Sequence, residues 1–478
     1  MKNRWFATLF ASIPVVAAVL ALQSCGGVGG TTIGNGGQGS VTEQFLALLS
    51  DEQRTATSIS PEECADCHGG RNPDDPIYAH WKDTKHFTKG VTCESCHGPG
   101  SVHKANPTAT NILTFPKVTS PVVCGQCHGP IHEQFNFSQH AKLIQSPVEE
   151  AIADPGRYGR NSRCIACHSG LVRAEFVDKG KDLGTLTDEE IREVAENTLT
   201  TVPHSADCVT CHNPHKKTGN LTQNGTEAQL QHKVFTLDTE QIGPGKSAAE
   251  FTTIDHLCAQ CHNGRGTDPS DNKLSSGTAR PSMHDSNQMQ MLMGFGGVDG
   301  TGPVQQNTAH AQAPGQCTKC HMPDSRHTFT VSFDKGCAPC HTPADAAARA
   351  TSIKSEILGE LVSLRTRMEA WAQGQFGNSL YWEYTSVINA EGGTAPDQSL
   401  VPIEIKRARH NYYFVVRSGD YGVHNAPYAK HLIRVANDNL DALNAGKAPP
   451  SRLTTDQKLE IIKADKRRAL KAEMEDPG

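Results

Sequence analysis

Cys64-Ala65-Asp66-Cys67-His68 is the first of eight segments in this chain that read Cys-x-x-Cys-His. The two thiols of such a segment add to the vinyl groups of haem, and the adjoining histidine is the proximal iron ligand. A single Cys-x-x-Cys would be as typical of a zinc site or a redox dithiol, but neither needs a histidine directly after every copy. The repeat therefore predicts eight covalently bound haem c groups.

The eight segments use sixteen of the seventeen cysteines, so no pair remains for a structural disulfide. The attachment cysteines are Cys64, Cys67, Cys93, Cys96, Cys124, Cys127, Cys164, Cys167, Cys208, Cys211, Cys258, Cys261, Cys317, Cys320, Cys337 and Cys340. The proximal histidines are His68, His97, His128, His168, His212, His262, His321 and His341.

The second axial ligand of each iron determines its chemistry, and histidine is in surplus for that role. Fifteen of the 23 histidines lie outside the motifs. Histidine on both sides gives a coordinatively saturated iron of low potential, whereas methionine raises the potential. Methionines cluster over 283–293. Packing against a porphyrin face is their favoured role, and a methionine ligand to one iron is the alternative. The surplus leaves it open whether one iron is free for substrate.

Residues 1–24 read as a lipoprotein signal peptide. Lys2 and Arg4 precede an apolar run, and Leu22-Gln23-Ser24-Cys25 resembles the bacterial lipoprotein cleavage box. Lipidation at Cys25 would anchor an exported protein stably to a membrane, and Gly26 after it favours the outer membrane. An uncleaved anchor and an ordinary secretory signal are the alternatives. Export agrees with haem attachment, which occurs outside the bacterial cytoplasm.

The mature chain divides by composition into a Gly-rich tether over 25–44, an octahaem core over 45–345 and a C-terminal helical region over 346–478. Hydrophobic residues make up only 36%, with 43 Gly and 27 Pro, so porphyrins must supply much of the core. We expect a mainly α fold with much irregular loop, a multihaem cytochrome c fold with a C-terminal helical region. Thr187 to Glu190 predicts a helix start. Apolar spacing predicts further helices over 342–372, 402–417, 426–443 and 451–473.

The formal net charge of −6 becomes more negative with haem propionates, which argues against nucleic acid as a partner. Other redox proteins and a membrane, through the lipid anchor, are the expected partners. The sequence does not indicate an oligomeric state.

The first two motifs carry a longer pattern. Tyr78-x-x-Trp81-x-x-x-x-His86 follows the first, and His103 follows Gly98-Pro99-Gly100 after the second. This resembles multihaem cytochromes of the tetrahaem nitrification type, and the resemblance implies His86 and His103 as distal ligands. A degenerate copy after the third motif, Phe135-x-x-Ser138-Gln139-His140, nominates His140 and indicates an internal duplication.

The end of the chain carries a second pattern, with His327 between the last two motifs and His424 before Asn425-Ala426-Pro427. It resembles pentahaem nitrite reductases and their octahaem relatives, including hydroxylamine oxidoreductase. The resemblance implies that His327 and His424 are distal ligands. Further candidates, chosen because they flank motifs, are His204, His215, His256, His284 and His310, while His80, His132, His232, His410 and His431 are left unassigned.

Two departures from the reductase pattern favour conduction over catalysis. Those nitrite reductases usually carry one Cys-x-x-Cys-Lys motif and an aromatic catalytic residue after the third motif, and this chain has neither feature. Hydroxylamine oxidoreductases use a tyrosine cross-linked to haem. Helix packing is the favoured role of the corresponding candidates here, Tyr381, Tyr384, Tyr412 and Tyr413.

Three hypotheses result. The favoured one is an electron-transfer protein acting between periplasmic or outer-membrane redox partners, with no catalytic residue. The alternative is an octahaem oxidoreductase for nitrite, hydroxylamine or a sulfur oxyanion, with one open iron. The third is a structural subunit of a larger cytochrome complex.

Overall fold

The computed structural model describes residues 41–69, 76–114, 120–144, 148–149, 152–153, 167–170, 173, 187–201, 204–222, 225–231, 257–264, 269–275, 283–300, 308–383, 398–443, 445–446 and 453–475. These ranges are mainly helical with irregular connections, and they contain isolated antiparallel bridges but no strand. The expected fold class is therefore confirmed. The predicted signal peptide, Cys25, Cys164, His232 and His256 lie outside the described residues.

Helices around the motifs are short. The α-helices are Val41–Leu48, Asp51–Thr55, Pro61–His68, Ile77–Lys82, Lys85–Thr88, Glu94–His97, Ser101–Ala105, Ser120–Gly125, Gly129–Asn136, Asp188–Thr201, Cys208–Cys211, Asp271–Leu274, Gln288–Met293 and Gln316–His321. The 3₁₀ turns are Leu257–Gln260, Pro323–Ser325, Ser379–Glu383 and Gln398–Leu400.

Capping side chains start several of these short helices. Ser60 Oγ accepts a hydrogen bond from the Glu63 amide, the Glu63 carboxylate accepts one from the Ser60 amide, and Pro61 takes the first helical position. Thr187 and Glu190 form the same reciprocal pair ahead of Asp188–Thr201, as predicted. Such caps satisfy amides that a short helix leaves without partners.

The C-terminal part consists of longer helices, close to the predicted bounds. Thr342 caps the start of the first helix, and Gly377, with φ +69°, directly follows its end. Gly419, with φ +70°, follows the end of the second, and Asn425 caps the start of the third. Glycine accepts the left-handed conformation that ends a helix without steric cost. The four helices are Pro343–Phe376, Ile403–Ser418, Ala426–Ala442 and Thr455–Glu475.

These helices enclose the largest apolar core in the described ranges, and ionisable side chains are buried beside it. Arg409 Nε donates to Glu383 Oε2 at 2.9 Å, and the Tyr413 hydroxyl also donates to Glu383. The Tyr412 hydroxyl donates to Asp465 at 2.5 Å. Both tyrosines are fully buried in this core, which agrees with their expected packing role.

Within the described ranges, no helix combines the length and the apolar composition needed to cross a bilayer.

Candidate haem sites

Each motif whose residues are all described lies on a turn that gathers its reactive side chains. In five motifs the histidine amide donates to the carbonyl of the first cysteine; these bonds start at His97, His128, His212, His262 and His341 and span 2.9–3.0 Å. Residues three and four apart in a helical turn share one face. The turn therefore presents two cysteines and one histidine to the same side, as attachment of one haem requires.

A second histidine ring faces the motif histidine at every site, where sites 1–8 are numbered by motif order. The ring centroids are 6.0–6.5 Å apart. From site 1 to site 8 the pairs are His68–His103, His97–His215, His128–His86, His168–His284, His212–His327, His262–His140, His321–His424 and His341–His310.

This separation fits a metal ion between two imidazoles. Two metal–nitrogen bonds of about 2 Å, with the radius of each ring added, give a centroid separation of roughly 6 Å. Ordinary aromatic pairs can have similar separations, so the distance alone is not decisive. The choice of partners is more informative, since every pair joins one motif histidine to one histidine outside the motifs.

Hydrogen bonds at Nδ1 orient several of these rings. The Nδ1 atoms of His97, His212 and His321 lie 2.7, 2.8 and 3.0 Å from the main-chain oxygens of Leu113, Ala228 and Phe329. A carbonyl can only accept, so Nδ1 carries the proton and Nε2 keeps a free lone pair for a metal.

Burial favours the same neutral form of the ring. It lowers the pKa of His97, His212 and His262, and it lowers that of His140 to about 4. The cause is desolvation, which penalises the charged imidazolium. Neutral imidazole is the form that binds a metal, so these four rings fit haem iron.

Contacts between cysteine sulfurs show which sites are neighbours. Cys64 lies beside Cys93, which joins sites 1 and 2. Cys124 lies beside Cys208, which joins sites 3 and 5. The neighbouring pairs Cys261–Cys167 and Cys258–Cys317 join site 6 to sites 4 and 7.

Cysteines that lie further apart give the remaining neighbours among the sites. Cys96 is close to Cys127, Cys258 to Cys211, and Cys320 to Cys337, which joins sites 2 and 3, 5 and 6, and 7 and 8. The sites therefore follow the row 1-2-3-5-6-7-8, with site 4 beside site 6.

One predicted distal ligand is not brought to a motif. The ring of His204 packs edge-on against Phe135 at 5.7 Å, while every motif histidine faces a different ring. The interpretation of His204 as a ligand is therefore not supported, because burial against an aromatic ring accounts for its position. The unassigned His410 and His431 contact the main-chain oxygens of Gly296 and Asp299.

The clustered methionines pack against protein side chains, and their predicted packing against a porphyrin stays a prediction. Met289 and Met293 are buried with Phe295, and Met283 lies in the C-terminal core. No methionine is needed opposite a motif histidine, since histidine already occupies that position at each site.

Two residues near the ligands were not found from the sequence. Asp420 Oδ2 lies 3.2 Å from His424 Nδ1 and accepts a hydrogen bond from the His424 amide at 2.6 Å. Phe329 packs between rings of two sites. An acidic residue four positions before a candidate ligand was the available signal for Asp420, whereas the position of Phe329 depends on tertiary structure alone.

A family described as cytochrome c554 and c-prime matches this chain over residues 41–98 and 123–181. Each matched segment holds two consecutive motifs. A solved crystal structure of the outer cell wall cytochrome OcwA is similar with a TM-score of 0.44 and 18% identity, over 73% of this chain and 70% of that chain. No curated protein matches significantly.

The motifs, the paired rings and the family match together define a multihaem c-type cytochrome, with covalently bound haem c as its cofactor.

Proposed function

We propose that this protein is an electron carrier with eight haem c groups, each iron held between two histidines. The observation that carries the proposal is the second ring opposite every motif histidine. An iron with two histidine ligands has no position for substrate, so it exchanges electrons and does not bind a substrate. The same observation disfavours the oxidoreductase alternative, which requires one open iron.

Haem supplies a one-electron couple at each site, and the chain supplies spacing and tuning. The fold places attachment cysteines of neighbouring sites close together along the row. Hydrogen bonds at Nδ1 hold the ligand rings in fixed planes. Among the described cysteines, Cys67, Cys127 and Cys340 are exposed, at sites 1, 3 and 8, and sites 1 and 8 end the row. These ends suit exchange with other redox proteins.

We further propose that the mature protein is exported and lipid-anchored at Cys25, on the outer membrane. The support is the cleavage-box resemblance and the single cysteine outside the haem motifs. The Gly-rich segment after Cys25 would let the haem domain reach partners at a distance from the membrane.

The function is tested on the purified holoprotein by intact mass, which counts the haems, and by ferric electron paramagnetic resonance (EPR). We expect eight haems, all low-spin, and no spectral change with nitrite, hydroxylamine or cyanide. A high-spin signal equal to one haem, together with binding of one of these ligands, would instead support the oxidoreductase.

A further inference from the structure

Phe329 lies between the last two motifs and contacts ligand rings of two sites. Its ring centroid is 4.5 Å from that of His140, at an interplanar angle of 80°. It is 5.9 Å from that of His327, at 74°. These histidines are the second rings of sites 6 and 5, which are neighbours in the row. One aromatic side chain therefore meets the axial ligands of two successive sites edge to face.

The backbone of Phe329 contacts a third site. Its carbonyl oxygen accepts a hydrogen bond from Nδ1 of His321, the motif histidine of site 7, at 3.0 Å. Phe329 has φ +57°, in the left-handed region that bulky side chains avoid. Such a conformation persists only where the surroundings hold it. It directs the ring towards sites 5 and 6 while the carbonyl faces site 7.

We propose that Phe329 is a positioning residue that fixes the ligand planes of three consecutive haem sites, through its ring at sites 5 and 6 and its carbonyl at site 7. Groups around an axial histidine set its ring orientation and thereby tune the iron. Site 6 has site 4 as a further neighbour beside sites 5 and 7. Phe329 therefore acts at the place in the row where two electron paths join. This inference rests on the proposed bis-histidine function.

The test compares variants of the full holoprotein. Phe329→Leu removes the aromatic edge at similar size. Phe329→Gly removes the side chain but accepts positive φ without strain, so the carbonyl can stay on His321. Phe329→Tyr restores the aromatic ring. Phe333→Leu is the matched control, because Phe333 belongs to the same segment and is 38% exposed.

The readouts are haem count, ferric EPR and potentiometric titration. With eight haems retained, we expect altered low-spin g values and shifted midpoint potentials for two haems in Phe329→Gly, and for two or three in Phe329→Leu. Phe329→Tyr and Phe333→Leu should match the wild-type protein.

Unchanged spectra and potentials in Phe329→Leu and Phe329→Gly would overturn the inference. The same holds for a change at one haem only, for a uniform change at all eight, or for loss of haem from both variants, because attachment does not involve Phe329. A wild-type spectrum without eight low-spin haems would overturn the proposed function itself. The two failures are therefore distinguishable.

Discussion

Nδ1 of His310 lies 3.4 Å from the main-chain carbonyl oxygen of His424. These residues provide the second rings of sites 8 and 7, so one contact joins the ligands of two successive sites. Cys320 and Cys337 are also neighbours across the same two sites. A displacement of the His424 segment would therefore reach both irons at this end of the row.

Removing the second ring at site 4 should open one iron. In His284→Ala, the iron bound by His168 loses its opposite ligand. We expect one of the eight haems to become high-spin and to bind cyanide or added imidazole, as measured by EPR and visible absorption.

His204→Ala is the matched control, because the ring of His204 contacts Phe135 instead of a motif histidine. It should keep eight low-spin haems. If His204→Ala opened an iron while His284→Ala did not, the pairing at site 4 would be wrong.

Asp420 should lower the potential of site 7. Its side chain is 7% exposed, and Oδ2 is 3.2 Å from His424 Nδ1. A buried negative charge beside an axial ring stabilises ferric over ferrous iron. We expect Asp420→Asn to raise one midpoint potential by on the order of 50 mV, which is about 1 kcal/mol for a one-electron couple. Spectroelectrochemical titration measures the shift.

Asp345→Asn provides the comparison at site 8. Asp345 lies 3.4 Å from His341 Nδ1, but it is 42% exposed and also pairs with Arg349. Solvent and that arginine screen its charge, so its effect should be smaller. A larger shift for Asp345→Asn than for Asp420→Asn would contradict the electrostatic explanation.

The sequence predicts the local part of these sites and not their assembly. Cys-x-x-Cys-His determines its own turn, so the position of His97 beside its cysteines follows from five residues. The ring that faces His97 belongs to His215, far along the chain, and only the tertiary structure brings them together. His204 and His284 show the same limit, since both flank motifs and only one of them reaches a motif histidine. The helix starting at Pro343 was predictable because Thr342, Pro343 and the apolar spacing act locally.

The buried Arg409–Glu383 pair should be important for the stability of the C-terminal helices. Both side chains are at most 2% exposed. Glu383→Gln leaves the arginine charge buried without its counter-charge, which typically costs about 3–5 kcal/mol. We expect a loss of that size in the free energy of unfolding of the holoprotein, measured by chemical denaturation and circular dichroism.

Asp438→Asn serves as the control for this loss. Its pair with Arg434 is about half exposed, with 49% and 58% of the two side chains accessible. Exposed ion pairs contribute about 0–1 kcal/mol, so the unfolding curve should barely move. Equal losses in the two variants would show that burial of the Arg409–Glu383 pair is not the cause.

Cys25 should determine membrane attachment. Cys25→Ala removes the only cysteine outside the haem motifs. We expect the protein to move from the membrane fraction to the soluble fraction, with eight haems retained and no acyl chains in its intact mass. Thr31→Ala, in the Gly-rich segment, should remain membrane-bound. A membrane-bound Cys25→Ala protein would favour an uncleaved anchor.

Several sites take their second histidine from a distant segment of the chain. The sites would therefore gain both of their histidines in a fixed order as the protein matures. In the exported protein proposed above, the N-terminal segments that leave the cytoplasm first would carry both rings of sites 1 and 3, since His68 faces His103 and His86 faces His128. Site 7 has to wait for His424, which follows all eight motifs. A chain interrupted between the last motif and that residue would carry every attachment cysteine and still leave one iron without its second histidine.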